Sequence, residues 1–282
     1  MREIKYLVVA AVLLLAGCQK KELDMTVMQK TLFEGAVIQE ITVKDGWNVT
    51  IVQDDESTYV ALEYSAFLED YFNMSLSDGN LTVLLKSHST LPTNTVMNAT
   101  IHTPMAQRIT LSEAVSAVIE GHFESTSLTL ELDGASTCKG GVFQISGPAH
   151  LQLTDASKIA DCYVIGDGCA IVLDNASTFK GSLYNNDTLN IKLDGASRMT
   201  TYDGVTLWAR VEVCNASSLN MLKTFVPGKI HIVVEETSEA SVAISQPGVL
   251  EGAVRNNSIL YYQGTNPTLN VDCDETSIIR PL

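Results

Sequence analysis

Acidic side chains recur in this chain at a spacing that could support chemistry. Aspartates occupy the same place in successive repeats of about twenty residues, at Asp133, Asp174 and Asp194, with Asp155 offset by one position. If the repeats stack, these carboxylates could form a ligand or cation face, because Ca²⁺ prefers several oxygen ligands. They could also be the acidic cluster of a polysaccharide lyase or hydrolase. The alternative is that each aspartate caps a turn through its own backbone. Capping is favoured, because Thr154 and Cys214 interrupt the column.

No other residues have the spacing of a catalytic or metal site. A glycosidase needs one carboxylate pair at a defined separation, and the acidic column offers many equivalent pairs. A lyase would need a base among the acids, but the cations after the repeats lie on different repeats and are interpreted as a solvated face: Lys139, Lys158, Lys180 and Arg198. The five histidines form no zinc-binding pair, and the sequence has no Gly-x-Ser-x-Gly motif. We therefore predict no catalytic residue, no metal and no cofactor.

Three aromatic residues also share one place in the repeat. Phe123, Phe143 and Tyr184 each lie seven residues after a repeat serine. Aromatic side chains that stack along a fold usually pack in its core, which is the favoured interpretation. An exposed row of rings would instead be able to bind sugars.

A serine marks the repeat that sets these spacings. From Ser136 to Ser217 the serines are 21, 20, 20 and 20 residues apart. One further serine lies 20 residues upstream, and three more lie downstream at steps of 24, 17 and 19 residues. The nine serines are Ser116, Ser136, Ser157, Ser177, Ser197, Ser217, Ser241, Ser258 and Ser277. A fixed period of this length is typical of a solenoid.

Apolar residues hold fixed places around each serine. The residues eight, six and four positions before it are apolar with mostly polar residues between them, which predicts strands with one buried face. The residue two positions after it is apolar in all nine repeats: Val118, Cys138, Ile159, Phe179, Met199, Leu219, Ala243, Leu260 and Ile279. The Asp, Asn and Gly residues before each Ala-Ser pair predict a turn with left-handed backbone. The small alanine predicts a tight corner that faces inward.

These patterns predict an all-β fold, a parallel and right-handed β-helix or β-solenoid of about nine rungs over residues 109–282. An antiparallel sandwich would explain the alternation, but not the same residue types in nine successive repeats. Residues 31–108 contain β-branched runs and turn residues without the twenty-residue period. We expect this N-terminal β region to pair onto the end of the solenoid and cover its open edge.

The N-terminus has the pattern of a bacterial lipoprotein signal. Arg2 and Lys5 precede an apolar run that is too short to span a bilayer. The run ends in Leu15-Ala16-Gly17-Cys18, with small residues before a cysteine that would be diacylated. The prediction is a signal peptide at 1–17 and lipidated Cys18 with a tether at 18–30, which would attach the protein to a membrane.

Composition excludes one class of partner. The net charge is −15 over 282 residues, which makes nucleic acid a poor partner. Five cysteines remain besides Cys18, with no metal-binding spacing, and structural thiols are favoured although one disulfide stays possible: Cys138, Cys162, Cys169, Cys214 and Cys273.

The order of motifs resembles the auto-transporter adhesin head (GIN) domain family, envelope lipoproteins and secreted proteins common in Bacteroidetes. The resemblance covers about residues 31–282 and rests on Phe33-x-x-Ala36-Val37, Gly46-Trp47-Asn48-Val49, Ser77-Asp78-Gly79-Asn80, the Gly-Ala-Ser repeats and Tyr261-Tyr262-Gln263-Gly264. It implies a pectin-lyase-like β-helix with a role in adhesion and no agreed catalytic residues. The resulting expectation is a non-enzymatic adhesion or binding module on an outer-membrane lipoprotein, on the surface or periplasmic side, with a glycan or protein ligand. A carbohydrate-active enzyme and a periplasmic structural or sensing protein are the alternatives.

Overall fold

The structure, a computed structural model, describes residues 23–86, 90–245 and 247–282. Apart from a 3-10 turn at Ala66–Leu68, the regular elements of the described residues are strands. The first eight are β1 (Val27–Leu32), β2 (Glu40–Val43), β3 (Asn48–Gln53), β4 (Tyr59–Ser65), β5 (Phe72–Ser77), β6 (Asn80–Leu85), β7 (Met97–Thr103) and β8 (Arg108–Leu111). The next six are β9 (Ser116–Ser125), β10 (Leu128–Leu132), β11 (Thr137–Leu153), β12 (Lys158–Leu173), β13 (Thr178–Leu193) and β14 (Arg198–Val213). The last eight are β15 (Ser218–Met221), β16 (Thr224–Phe225), β17 (Lys229–Val234), β18 (Glu239–Ala243), β19 (Val249–Val254), β20 (Ile259–Gln263), β21 (Thr268–Cys273) and β22 (Ile278–Pro281).

Successive windings of the chain pair in parallel, each on the one before. The strand β12 pairs with β11 on one side and β13 on the other, and β13 then pairs with β14. The paired residues are one repeat apart, as in Ile159 beside Phe179. This arrangement confirms the predicted β-solenoid, which has about nine turns.

Each turn, or coil, consists of three straight segments. In β12 the pairing register shifts between Ala160 and Cys162 and again between Gly166 and Cys169. We call residues 158–160 the first segment of this coil, 162–166 the second and 169–173 the third, and we use the same names for the paired residues of other coils. The short strands β15, β16 and β17 pair with the three segments of β14 in turn, so they form one further coil with breaks at its bends.

The core consists of columns of side chains, one from each coil. The pairing places Ile159, Phe179, Met199 and Leu219 directly above one another in the first segments, and all four are buried. The column continues to Leu260 through Ala240. Burying one large apolar side chain fully contributes about 1.5–3 kcal/mol, and no single coil can do this without its neighbours.

Two predicted members of this column are wrong. Val118 is 41% exposed and Ala117 takes its place beside Cys138. Ala243 pairs with Gln263, and Ala240 is the column member of its coil. In both coils the predicted register was set by a serine that is not the structural equivalent of the others.

The corner after each third segment is built from two consecutive residues with left-handed backbone, as the turn chemistry predicts. Asn175 and Ala176 have φ values of 52° and 64°, and the Ala176 N–H donates to the Gly195 carbonyl of the next coil at 2.7 Å. The prediction that the alanine faces inward is wrong, because Ala176 is exposed and Ser177 is buried. The left-handed conformation turns the alanine Cβ outward, so the serine is the residue that fills the corner.

The buried serines link coils through their hydroxyl groups. The Ser217 N–H donates to Ser238 Oγ at 3.2 Å, and the Ser238 N–H donates in the same way to Ser258 Oγ. Ser238 is therefore the repeat serine of its coil, 21 residues after Ser217 and 20 before Ser258, and Ser241 is not. At the other end Val115 takes the serine position and donates its N–H to Ser136 Oγ.

The first strands continue the stack at its N-terminal end. The strands β3 and β2 pair in parallel with β9 and β8, and then with β7 and β6 respectively. Beyond them β4 and β1 add in antiparallel orientation on one side, and β5 on the other. The reversal of strand direction marks the end of the coil geometry. At the opposite end β21 and β22 are mostly exposed.

Candidate binding surfaces

The predicted ligand or cation face lies at the corners after the third segments. Asp133 Oδ1 accepts the Gly134 N–H at 2.7 Å and the Thr154 hydroxyl of the next coil at 2.9 Å. The Thr154 hydroxyl, together with the neighbouring Asp155 and the Gly134 N–H, holds the pKa of the Asp133 carboxyl below its usual range despite partial burial.

The other two aspartates make the same kind of contact. Asp174 accepts the Asn175 N–H at 2.7 Å, and Asp194 accepts the Gly195 N–H at 2.8 Å and the Asn215 amide at 2.5 Å. Each carboxylate thus binds the backbone of its own corner. Among residues 23–86, 90–245 and 247–282, no group of three or more His, Cys, Asp or Glu side chains could hold a metal ion.

The cysteines of the described residues are free thiols in three environments. Cys138, Cys162 and Cys169 are buried, Cys214 is half-buried and Cys273 is exposed. Burial raises the pKa of Cys138 and Cys169 to about 12. A thiol with so high a pKa is a poor nucleophile, so these residues serve as small apolar core residues. Cys18 lies outside the described residues.

The basic residues after the repeat serines point outward from the first segments. Lys139, Lys158, Lys180 and Arg198 are all exposed. Lys139 forms an ion pair of 3.7 Å with Asp161, in which both side chains are more than half exposed. Such a pair contributes little to stability, and the residues form the solvated face that the sequence predicts.

The aromatic residues predicted to share one column lie in two. Phe123 and Phe143 are buried and stacked at 5.7 Å between ring centroids. Tyr184 is displaced by one position, because the register shift near Gly181 places Leu183 in the core instead. The tyrosine therefore faces outward, where its hydroxyl donates to Asp203 Oδ2 at 2.8 Å.

Tyr184 belongs to an outward column of the second segments that is apolar over four coils. Pairing aligns Ile165, Tyr184, Val205 and Phe225 in this order, and we call these four residues the apolar strip. Ile165, Val205 and Phe225 are 36%, 42% and 54% exposed. A contiguous exposed row of this kind is typical of an interaction surface, whereas single exposed apolar residues are not.

A separate cleft lies where the second segment bends into the third. Its volume is about 390 Å³, and its lining includes Trp208, Arg210, Lys229, His231 and Glu251. Trp208 is 45% exposed. Lys229 Nζ lies 2.7 Å from Glu251 Oε1, and His231 Nδ1 lies 3.2 Å from the same oxygen. The hydrogen bond from Lys229, with that from His231, lowers the pKa of Glu251.

The sequence analysis did not identify Trp208 or this cleft. At the bend, Leu207 and Trp208 are both exposed while Thr206 and Ala209 on either side are buried. Two consecutive outward residues break the period-two alternation, so the pattern could not assign the tryptophan to a face. The cleft residues come from three coils, and their joint position depends on a register that only the coordinates give.

Taken together, these features define a non-globular class of protein, a β-solenoid with exposed side-chain ladders. Within the part of the chain that the structure describes, no helix is long and apolar enough to cross a membrane. Residues 38–223 match the family described as "Putative auto-transporter adhesin, head GIN domain". The chain belongs to this family, as its motifs suggest.

Three solved structures with the same fold come from two species of Parabacteroides. A "putative adhesin" from Parabacteroides distasonis is 14% identical, with a TM-score of 0.64 over 92% of this chain and 98% of that one. A "putative adhesin" from Parabacteroides merdae is 12% identical, with a TM-score of 0.57 over 91% and 96%. A "Putative lipid binding protein" from Parabacteroides distasonis is 14% identical, with a TM-score of 0.52 over 92% and 98%. At these identities the likeness shows the fold alone. No curated protein matches the chain.

Proposed function

We propose that this protein is a non-enzymatic adhesion module, anchored in the outer membrane by a lipid on Cys18, that binds a macromolecule outside the cell through the apolar strip. The observation that carries the proposal is the strip itself, an outward apolar row across four successive coils in which Ile165, Val205 and Phe225 are exposed and Tyr184 is half-buried. A rigid parallel stack holds these side chains at a spacing of about 4.8 Å. Binding to such a preformed surface requires little ordering of the protein, which favours association.

The anchor and the location rest on the sequence and the family. Leu15-Ala16-Gly17-Cys18 provides the small residues and the thiol that lipidation needs, and two or more acyl chains make attachment to a membrane stable. Membership of an adhesin family supports placement in the cell envelope. The non-enzymatic assignment is supported by the aspartates of the corners, which are occupied by backbone hydrogen bonds.

A bead-retention assay tests the adhesive strip. Beads coated with purified protein lacking the signal peptide are passed over epithelial monolayers and immobilised mucin. The double variant Val205→Asp/Phe225→Asp places two charges in the strip and should reduce retention to the level of uncoated beads. The matched control Thr200→Asp/Asn220→Asp adds the same charge to the first segments of the same two coils and should leave retention unchanged. Equal retention by both variants would refute the role of the strip.

Location and anchoring are tested on cells. Protease added to intact cells should degrade the protein if it is on the surface, whereas protection would refute surface adhesion and favour a periplasmic structural or sensing role. Cys18→Ser should abolish labelling by radioactive palmitate and release the protein from the membrane fraction. Incubation with a panel of polysaccharides should give no new reducing ends and no unsaturated products. Either product would replace the binding module with a carbohydrate-active enzyme.

A further inference from the structure

Trp208 is the accessible tryptophan of the molecule. The chain has two tryptophans, and Trp47 is fully buried while Trp208 is 45% exposed at the bend of β14. Its neighbour Ala209 is buried and pairs with Ile230 of the next coil. The backbone beneath the indole is thus held by the core, and the ring forms the apolar part of the cleft lining.

The other wall of the cleft is polar and comes from the next two coils. Lys229 pairs with Trp208 in the neighbouring coil, and Glu251 lies one coil further on, beside His231. The Lys229 ammonium and the His231 ring both contact the same oxygen of Glu251. Both contacts are made by Oε1 of this carboxylate. Hydrogen-bond donors and an acceptor therefore stand side by side on the same outward face as the indole, with Lys229 one coil from Trp208, about 4.8 Å, and Glu251 two coils away, roughly 10 Å.

Both cations that line the cleft are paired with a carboxylate, and this pairing limits the ligand. Lys229 is paired with Glu251 at 2.7 Å, and Arg210 Nη2 lies 3.5 Å from Glu212 Oε1. An anion would have to compete with a carboxylate for either cation, and a purely apolar ligand would leave these groups without solvent. A hydroxyl group both donates and accepts, so neighbouring hydroxyls can bind the ammonium and the carboxylate together.

We propose that this cleft binds one neutral sugar residue, with the apolar face of the pyranose ring against Trp208 and two adjacent hydroxyls bound by Lys229 and Glu251. The volume of about 390 Å³ lies in the range of small-molecule sites, roughly 300–1,000 Å³. Aromatic walls with a few converging polar groups are characteristic of such sites. The cleft is distinct from the apolar strip, so sugar binding here stands whether or not the strip mediates adhesion.

Intrinsic fluorescence provides the first test, because a ligand on Trp208 changes the emission of the exposed indole and leaves that of Trp47 unchanged. The probes are the methyl glycosides of glucose, galactose and mannose, titrated to about 50 mM, since a single sugar site is expected to have a Kd near or above about 1 mM. At least one glycoside should give a saturable change that is lost in Trp208→Phe. A response by free glucuronate alone, or by no glycoside, would overturn the proposal.

Ligand-observed NMR with the responding glycoside then measures affinity without using tryptophan emission. Trp208→Ala should weaken binding by about ten-fold or more, which is the scale of losing one stacked ring, and Glu251→Gln should weaken it several-fold. Lys192→Ala, which removes an exposed lysine on the third segment of the neighbouring coil, should bind as the parent does. Because Trp208 and Lys192 are exposed, the urea midpoints of the Trp208→Ala and Lys192→Ala variants should match that of the parent. Unchanged affinity in Trp208→Ala would place the sugar elsewhere and refute this site.

Discussion

Phe179→Ala should destabilise the solenoid by about 3–5 kcal/mol, the cost of removing a phenylalanine ring from a core. The ring is fully buried and paired between Ile159 and Met199. It also fills the space beside Gly181, where a Cβ would lie 2.9 Å from the ring. Gly181 has no side chain that could move into the cavity, and its Cα lies close to the preceding coil, where an added Cβ would be 2.4 Å from the Cys162 carbonyl oxygen. The cost should therefore lie in the upper half of the range.

Urea denaturation followed by circular dichroism measures this free energy by linear extrapolation. The matched control is Tyr184→Ala, which removes an aromatic ring from the same strand, β13, but from its outer face. Tyr184 faces outward and is half-buried, so removing its ring should cost much less, about 1 kcal/mol. If Phe179→Ala cost no more than this control, the side-chain column would not be what holds the coils together.

Three further outcomes follow from the same geometry. Gly252→Ala should cost at least about 3 kcal/mol in a urea titration, because at φ +135° its Cβ would lie 1.8 Å from a carbonyl of the preceding coil; a midpoint equal to the parent's would contradict this. Iodoacetamide followed by mass spectrometry should modify the exposed Cys273 in the native protein and Cys162, whose pKa burial raises, only after unfolding. The Asn256 N–H lowers the pKa of Asp274 to about 2, so this carboxylate contributes stability above pH about 4 that is lost as the pH falls towards 2. Asp274→Asn should flatten that part of the acid denaturation profile, and an unchanged profile would show that the contact is not formed.

The sequence was sufficient to predict the solenoid because its core depends on residue type at a fixed period. Ile159, Phe179 and Leu219 fall in one column as predicted. The prediction was wrong where a serine that is not structurally equivalent to the others was used to set the repeat register. At 240–241 an Ala-Ser pair matches the repeat in sequence, but the structural equivalent is Thr237-Ser238. The corner requires left-handed backbone followed by an inward hydroxyl; Thr237 provides the first, with φ of 61°, and Ser238 the second, but a threonine does not look like a left-handed turn residue.

The binding surfaces could be predicted less well, for a related reason. Which residue faces outward after a bend depends on how many residues the bend uses. The shift near Gly181 exchanges Leu183 and Tyr184 between core and surface, and the bend before Ala209 leaves Trp208 outside. A one-residue change in register reverses every side chain that follows, and sequence patterns rarely locate such shifts to one residue.

The backbone hydrogen bonds that join successive corners have a consequence for the length of the molecule. Each corner donates its alanine-position N–H to the next corner and receives the equivalent bond from the one before, as in Ala156 to Asn175 and Ala176 to Gly195. Every internal coil therefore presents the same connections on both sides. Excising or duplicating one whole period would join surfaces that already match, so such a scaffold can become longer or shorter in fixed increments without redesign of the parts that remain.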